Sequence, residues 1–328
     1  MKKNIRLKAF AKINMNLRIL SRRSDGYHEI SSIMQNLDIY DGIDISVKDF
    51  IIDKTNTKVH KERELLSKET CFINNQNIKF ILNIKDSKYP EFLNVDIKDN
   101  LITKSAIRFF DILGLDEKFT VRIDISKKLP LGGGIGGGSA DGSAVLLSLN
   151  KIFGNPFTLN ELMELGKNIG ADFPFSVMMN AFKNRKELKN LKGIEEASIA
   201  AKVSGIGDNI TPIEAKPYYI ILCDPGINIS TKEVYDGIDK IKIQKKDYKI
   251  FQNDMENYTL KEYDKVRNLK EVMIRSLKAD AVLMSGSGAI IAGYYKSAVA
   301  GAKDFKKLEQ IKDKDIAIWF TTTGGPDC

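Results

Sequence analysis

Ile5, Leu7 and Ala9 share one face of an alternating segment. The first ~50 residues keep that texture between turn signals at Ser24-Asp25-Gly26 and Asp41-Gly42, which predicts a β-rich start. From Asn100 the period changes. Ile102, Ala106, Phe109 and Leu113 recur at helical spacing, with Asp99 as the expected cap and Gly114 as the stop. Phe119, Val121, Ile123 and Ile125 then alternate cleanly over 118–126, a strand. A glycine run follows, and behind it Val145, Leu149 and Ile152 predict a second helix. Thr158 and Glu161 form a capping box for a third, ending near Gly170. Beyond Pro217, YYIILCDPG reads as a buried strand closed by a turn. Strands at Ala281–Met284, Ala289–Tyr295 and Ile316–Thr321 come next, with an SGSG turn between the first two and a polar helix before the last. The pattern predicts an α+β chain with a boundary near residue 213, hence regions 1–212 and 213–328. Two stretches resist placement. Residues 51–98 are polar and lysine-rich, and 183–202 are charged, reading as a solvated helix or an inserted loop.

Composition narrows the class. The chain has 328 residues, too many for one small core, and 43% are apolar, which fits a soluble globular protein. It holds no run of apolar residues long enough to span a membrane, and its basic start lacks the apolar stretch of a signal peptide. Cys71, Cys223 and Cys328 are widely spaced and odd in number. Neither a disulfide framework nor a zinc site is expected, and a reducing, cytoplasmic setting is. The net charge of +8 fits nucleic-acid or membrane contact, or an anionic small substrate. The basic residues are spread rather than clustered, which favours the small substrate and leaves no nucleic-acid or membrane partner expected.

Gly132, Gly133, Gly134, Gly136, Gly137 and Gly138 surround Ile135 between a strand and a helix. Glycine lets backbone N–H groups approach a ligand, and a helix N-terminus favours an anion, so the run reads as a phosphate cradle. Ser139 adds a hydroxyl at the helix start, able to cap it or to meet a phosphate or Mg²⁺. Other readings are weaker. The literal G-x-G-x-x-G match lacks the βαβ unit of a dinucleotide site, no Gly-Lys-Ser/Thr of a Walker A loop is present, and a flexible linker would not sit between two clean elements.

Pro130-Leu-Gly-Gly-Gly-Ile-Gly-Gly-Gly-Ser-Ala-Asp141 resembles the long form of the GHMP kinase nucleotide loop. AKINMNLRILSRRSDGYHEI (11–30), GADFPF (170–175), DPGINISTKEVY (224–235) and LMSGSGAIIAGYY (283–295) resemble that family's other segments in the same order. The first of these points to the branch acting on 4-diphosphocytidyl-2-C-methylerythritol in non-mevalonate isoprenoid synthesis. The resemblance implies a two-domain fold, its N-terminal half like ribosomal S5 domain 2 and its C-terminal half ferredoxin-like, with ATP and substrate meeting in the cleft between. It implies transfer of the ATP γ-phosphoryl group to the substrate's 2-hydroxyl, with Mg²⁺ required. A family member acting on another alcohol, such as homoserine or mevalonate, is the alternative.

The same resemblance implies the site. Residues Pro130, Leu131, Gly132, Gly133, Gly134, Ile135, Gly136, Gly137, Gly138, Ser139 and Ala140 would hold the nucleotide. Asp172 would orient or accept the hydroxyl proton, and Lys12 would keep Asp172 ionised and offset charge on the transferring group. Tyr27 and Tyr235 would sandwich the cytosine, and His28 would read its edge. Asn14 and Thr231 would position the hydroxyls or diphosphate. No metal ligand is assigned. Ala140 stands where the family usually has a second serine, Ser230 departs from the common proline, and 51–98 and 183–202 read as surface insertions. Ser285-Gly-Ser-Gly288 reads as a tight hairpin turn that in the family also closes over the cleft. The end, TTTGGPDC, reads as a flexible tail.

Overall fold

The computed structural model describes residues 3–49, 67–71, 78–87, 99–114, 119–241 and 250–324. Its Cα packing divides the chain into two units. The first comprises Met1–Ala9, Tyr40–Pro130 and Gly138–Ala197, and the second Phe10–Ile39, Leu131–Gly137 and Ser198–Cys328. This grouping does not follow a single cut near residue 213. Residues of the N-terminal strand pair with the C-terminal part, Leu17 N donating to Gln252 O at 2.8 Å and Ile19 N to Asp254 Oδ2 at 2.9 Å.

Two long strands, β1 (Lys3–Arg22) and β2 (His28–Asp49), run beside each other through the first fifty residues. In the first unit, β3 (Ser67–Cys71), β4 (Ile78–Ser87) and β5 (Phe119–Lys127) join β2 in the order β3-β4-β5-β2, with β4 and β5 parallel. Part of the stretch expected as a surface insertion is therefore sheet, and Phe80, Leu82 and Ile84 of β4 are buried. The remainder of 51–98 lies mostly outside the described residues. Helices α1 (Leu101–Leu113), α2 (Gly137–Ile152), α3 (Leu159–Lys167) and α4 (Phe173–Lys183) complete this unit.

The local signals mostly act as read. Asn100, not Asp99, caps α1, its side chain accepting from Ile102 N at 2.9 Å, and Gly114 ends the helix at φ 63°. The Thr158–Glu161 capping box is formed. Phe109 and Phe110 of α1 meet Phe119 of β5 and Phe153 in edge and face contacts, which fix helix on sheet. The charged stretch 183–202 is not a solvated insertion. Leu188 and Leu191 are buried beneath its charges, a 3-10 turn spans Ile194–Glu196, and β6 starts at Ala200.

In the second unit, β6 (Ala200–Gly205) and β7 (Asn209–Pro212) extend the N-terminal half of β2. Among the described residues a separate antiparallel sheet is formed by β8 (Tyr218–Asp224), β9 (Ala281–Met284), β10 (Ile291–Tyr295) and β11 (Ala317–Thr323), in the order β11-β8-β10-β9. Helices α5 (Thr231–Ile238), α6 (Glu256–Glu262) and α7 (Asp264–Ser276) connect β8 to β9, and α8 (Ala298–Ile311) connects β10 to β11. That βαββαβ order is ferredoxin-like, as expected. Its core gathers Ile221 and Cys223 of β8, Val234 of α5, Met273 of α7 and Leu308 of α8. Thr321–Thr323 of the expected tail belong to β11, where Thr323 Oγ1 accepts from Tyr218 N at 2.9 Å; residues 325–328 lie outside the described residues. Among the described residues no helix is long and apolar enough to cross a membrane.

Candidate active site

The glycine loop of the second unit is shaped by what presses on it. Gly134 has φ 78°, and a Cβ there would overlap the Ser285 carbonyl oxygen. Ser285 Oγ donates back to Gly134 O at 2.9 Å, and Ile290 N to Gly133 O at 3.3 Å. The SGSG segment is thus a turn and also a wall of the loop. Gly136 has φ 69°, and a Cβ there would sit 2.9 Å from Lys12 Cγ. The Lys12 stem therefore lies against the loop, and Lys12 N donates to Ile135 O at 2.9 Å. Gly134→Ala combines a positive φ with a backbone clash that no side-chain motion relieves. It is expected to cost about 2 kcal/mol or more of stability and to raise KM for ATP about tenfold. Thermal melting and ATP titration of the rate check this.

Lys12 is buried, and its ammonium donates to Asn14 Oδ1 at 2.7 Å. Asn14 Nδ2 donates to Ser32 Oγ at 2.9 Å, and Ser32 Oγ to Asn16 O at 2.5 Å. Both ends of the Asn14 amide are thus engaged inside the protein. Its visible work is to hold the Lys12 ammonium in one place.

Helix α5 brings a second group together. Ser230 caps it, accepting from Glu233 N at 3.4 Å, and so fills by hydrogen bonding the position where the family's common residue is proline. Thr231 Oγ1 lies 2.9 Å from Ser287 Oγ, which ties α5 to the SGSG turn. Tyr235 stacks on His28 with ring centroids 4.6 Å apart at 14°. His28 Nε2 lies 2.7 Å from Asp239 Oδ1. Tyr27 stands 61% exposed on the turn before β2.

The first unit holds Pro130, Gly138, Ser139, Ala140 and Asp172. Asp172 occupies the N-cap position of α4, yet its side chain makes no capping bond. Ser139 is half-buried in the first turn of α2, and the Ala140 methyl is buried. The chain leaves this unit after Pro130 and returns at Gly138, and a buried charge cluster ties both points. Lys127 Nζ reaches Asp41 Oδ2 at 2.5 Å and Asp141 Oδ2 at 2.7 Å. Asp41 Oδ1 also accepts from the backbone N–H of Lys128 and from that of Leu129, the latter at 2.8 Å. Lys127 and Asp41 are 0% exposed and Asp141 1%. Burial pushes the Asp141 carboxyl well above the usual carboxylate range; Lys127 pulls against that, and the Asp41 charge adds to it. Burial also works against the Lys127 charge, but the two carboxylates hold the ammonium above its ordinary value.

Sequence reasoning missed this cluster and Asp239. Lys127 continues the Phe119–Ile125 face of β5, so a buried lysine needing carboxylates was readable there. Asp239 lies four residues after Tyr235, one helical turn on the same face.

Comparison with known proteins adds the following. Residues 100–180 match the family described as GHMP kinases N terminal domain. A Clostridium perfringens protein named 4-diphosphocytidyl-2-C-methyl-D-erythritol kinase is 30% identical, over 97% of this chain and 98% of its own. A protein of the same name from a Geobacillus species is 33% identical, over 88% and 86%. The crystal structure of a 4-(cytidine 5'-diphospho)-2C-methyl-D-erythritol kinase superposes with a TM-score of 0.66 at 21% identity, covering 98% of this chain and 100% of that one.

Proposed function

The chain belongs to the family of 4-diphosphocytidyl-2-C-methyl-D-erythritol kinases, and from that premise we propose how its own residues carry out the reaction. It is an ATP-dependent small-molecule kinase of isoprenoid precursor synthesis. It transfers the γ-phosphoryl group of ATP to the 2-hydroxyl of 4-diphosphocytidyl-2-C-methylerythritol and releases ADP.

The observation that carries the residue assignment is the seating of Lys12 against the glycine loop, with its ammonium fixed by Asn14. Phosphoryl transfer needs positioning and charge stabilisation more than covalent chemistry. Residues 130–140 bind the ATP phosphates through backbone N–H groups and the start of α2. Lys12 offsets negative charge on the transferring group. The acceptor oxygen forms its bond to the γ-phosphorus as the bond to the β–γ bridging oxygen breaks, and the hydroxyl proton passes to Asp172. Tyr27, His28 and Tyr235 take the cytosine, and Thr231 the diphosphate or a polyol hydroxyl.

Mg²⁺ belongs to this reading as a metal carried on the nucleotide. Among the described residues no three His, Cys, Asp or Glu side chains gather to hold one, so phosphate oxygens would supply most ligands and Ser139 a hydroxyl. When bound, the ion offsets charge on the β- and γ-phosphates. We assign the +8 charge to these anionic substrates, keep 1–212 and 213–328 as the two family halves, and place the enzyme in the cytoplasm.

The test compares acceptors. Purified protein with Mg-ATP is expected to release ADP with the cytidyl substrate and not with homoserine or mevalonate. ADP release with either of the latter alone would move the chain to another branch of the GHMP kinases.

A further inference from the structure

His28 is held on two sides by one helix. Tyr235 and Asp239 stand four residues apart at the C-terminal end of α5 and face the same way. The Tyr235 ring covers one face of the imidazole and so fixes its plane. The bond from Nε2 to Asp239 Oδ1 fixes the rotation of the ring within that plane. The His28 side chain is only 6% exposed, so the ring has little room to turn. Arg22 Nη1 lies 3.3 Å from Asp239 Oδ2 and holds the carboxylate from its other side.

The chemistry of that bond has a direction. An ionised carboxylate only accepts, so the partner nitrogen must donate. With Nε2 carrying the proton, a neutral imidazole presents Nδ1 as an acceptor. An acceptor complements the exocyclic amino group of cytosine and opposes the carbonyl that uracil carries at the same position. We propose that Asp239 is a positioning residue for base selection: by fixing the His28 tautomer, it makes the enzyme prefer a cytidine-linked over a uridine-linked substrate. This rests on the assignment of His28 as the base reader.

The experiment has two arms. The chain contains only two histidines, His28 and His60, so ¹⁵N-histidine spectra resolve each side chain once His60→Gln identifies one signal. His28 is expected to carry its proton on Nε2, the nitrogen that faces Asp239. Asp239→Asn keeps the shape and a hydrogen-bonding group but can donate or accept, so both tautomers are expected. In the second arm, kcat/KM is measured with the cytidyl substrate and its uridine analogue. Asp239→Asn is expected to lower the cytidine-to-uridine ratio about tenfold, chiefly through KM, with little change in melting midpoint. A proton on Nδ1, or on both nitrogens, overturns the inference. So does a parent-like ratio in Asp239→Asn when the parent itself discriminates. If the parent does not discriminate between the bases, the assignment of His28 as base reader fails, and the inference with it.

Discussion

Asp172→Ala is expected to lower kcat by about a hundredfold to ten-thousandfold, the range for loss of a positioned general base, while ATP binding persists. Thermal melting separates this loss from a folding defect. Asp172 stands where a helix cap would, but α4 receives no capping bond from it, so the substitution removes none of the stability that a cap supplies. The first turn of α4 is anchored instead by the buried side chains of Phe173, Pro174 and Phe175. ADP-release kinetics, ATP titration and thermal melting together check the expectation. Near-parental kcat would remove Asp172 from the proton-transfer role.

The second large effect concerns stability. Lys127→Met is expected to destabilise the protein by about 3–5 kcal/mol, because it strands two buried carboxylates without their cation. Asp41→Asn should also be costly, since Asp41 accepts from two backbone N–H groups as well as from Lys127. Asp141→Asn should cost far less. It removes one of two like charges sharing a single ammonium and keeps an oxygen to accept from Lys127. The pH dependence follows with a definite sign. A carboxyl raised in the folded state binds its proton there at pH values where the unfolded chain has released it. Its contribution to stability is therefore present below the ordinary carboxylate pKa and is lost as pH rises from there towards the folded-state value. Asp141→Asn should remove that slope, and denaturant melts across the acid range measure it.

The fold was legible where local rules agreed with packing. The Thr158–Glu161 box, the Gly114 stop, the alternating face of β5 and the buried strand YYIILCD are each set by interactions within a few residues. The stretch 183–202 misled because its charges outnumber the leucines that do the packing, and Leu188 and Leu191 are sparse but buried. Strand β4 was unreadable because its pairing is parallel to β5, a partner reached only across α1. Residues 10–17 gave a strand but not its setting. They are buried on both faces, so alternation carries no information there.

The candidate site divides the same way. The glycine run was read as an anion site, because the chemistry of such a site lies in consecutive backbone groups. Its fit against Ser285 and Lys12 depends on chain segments more than a hundred residues away, which no local pattern encodes. Asn14 was read as a substrate contact, and its bonds to Lys12 and Ser32 were not foreseen, because Ser32 comes from the neighbouring strand. His28 was read alone, and its partner Asp239 comes from a helix two hundred residues later.

The central claim is that this loop, with Lys12 and Asp172, directs the γ-phosphoryl group to one hydroxyl of a cytidine-linked polyol. Phosphorus-31 NMR of the reaction with Mg-ATP and 4-diphosphocytidyl-2-C-methylerythritol tests it directly. The account predicts ADP and a phosphomonoester on the tertiary 2-hydroxyl, formed one for one. ADP accompanied by inorganic phosphate, or a phosphate on another hydroxyl, would contradict it.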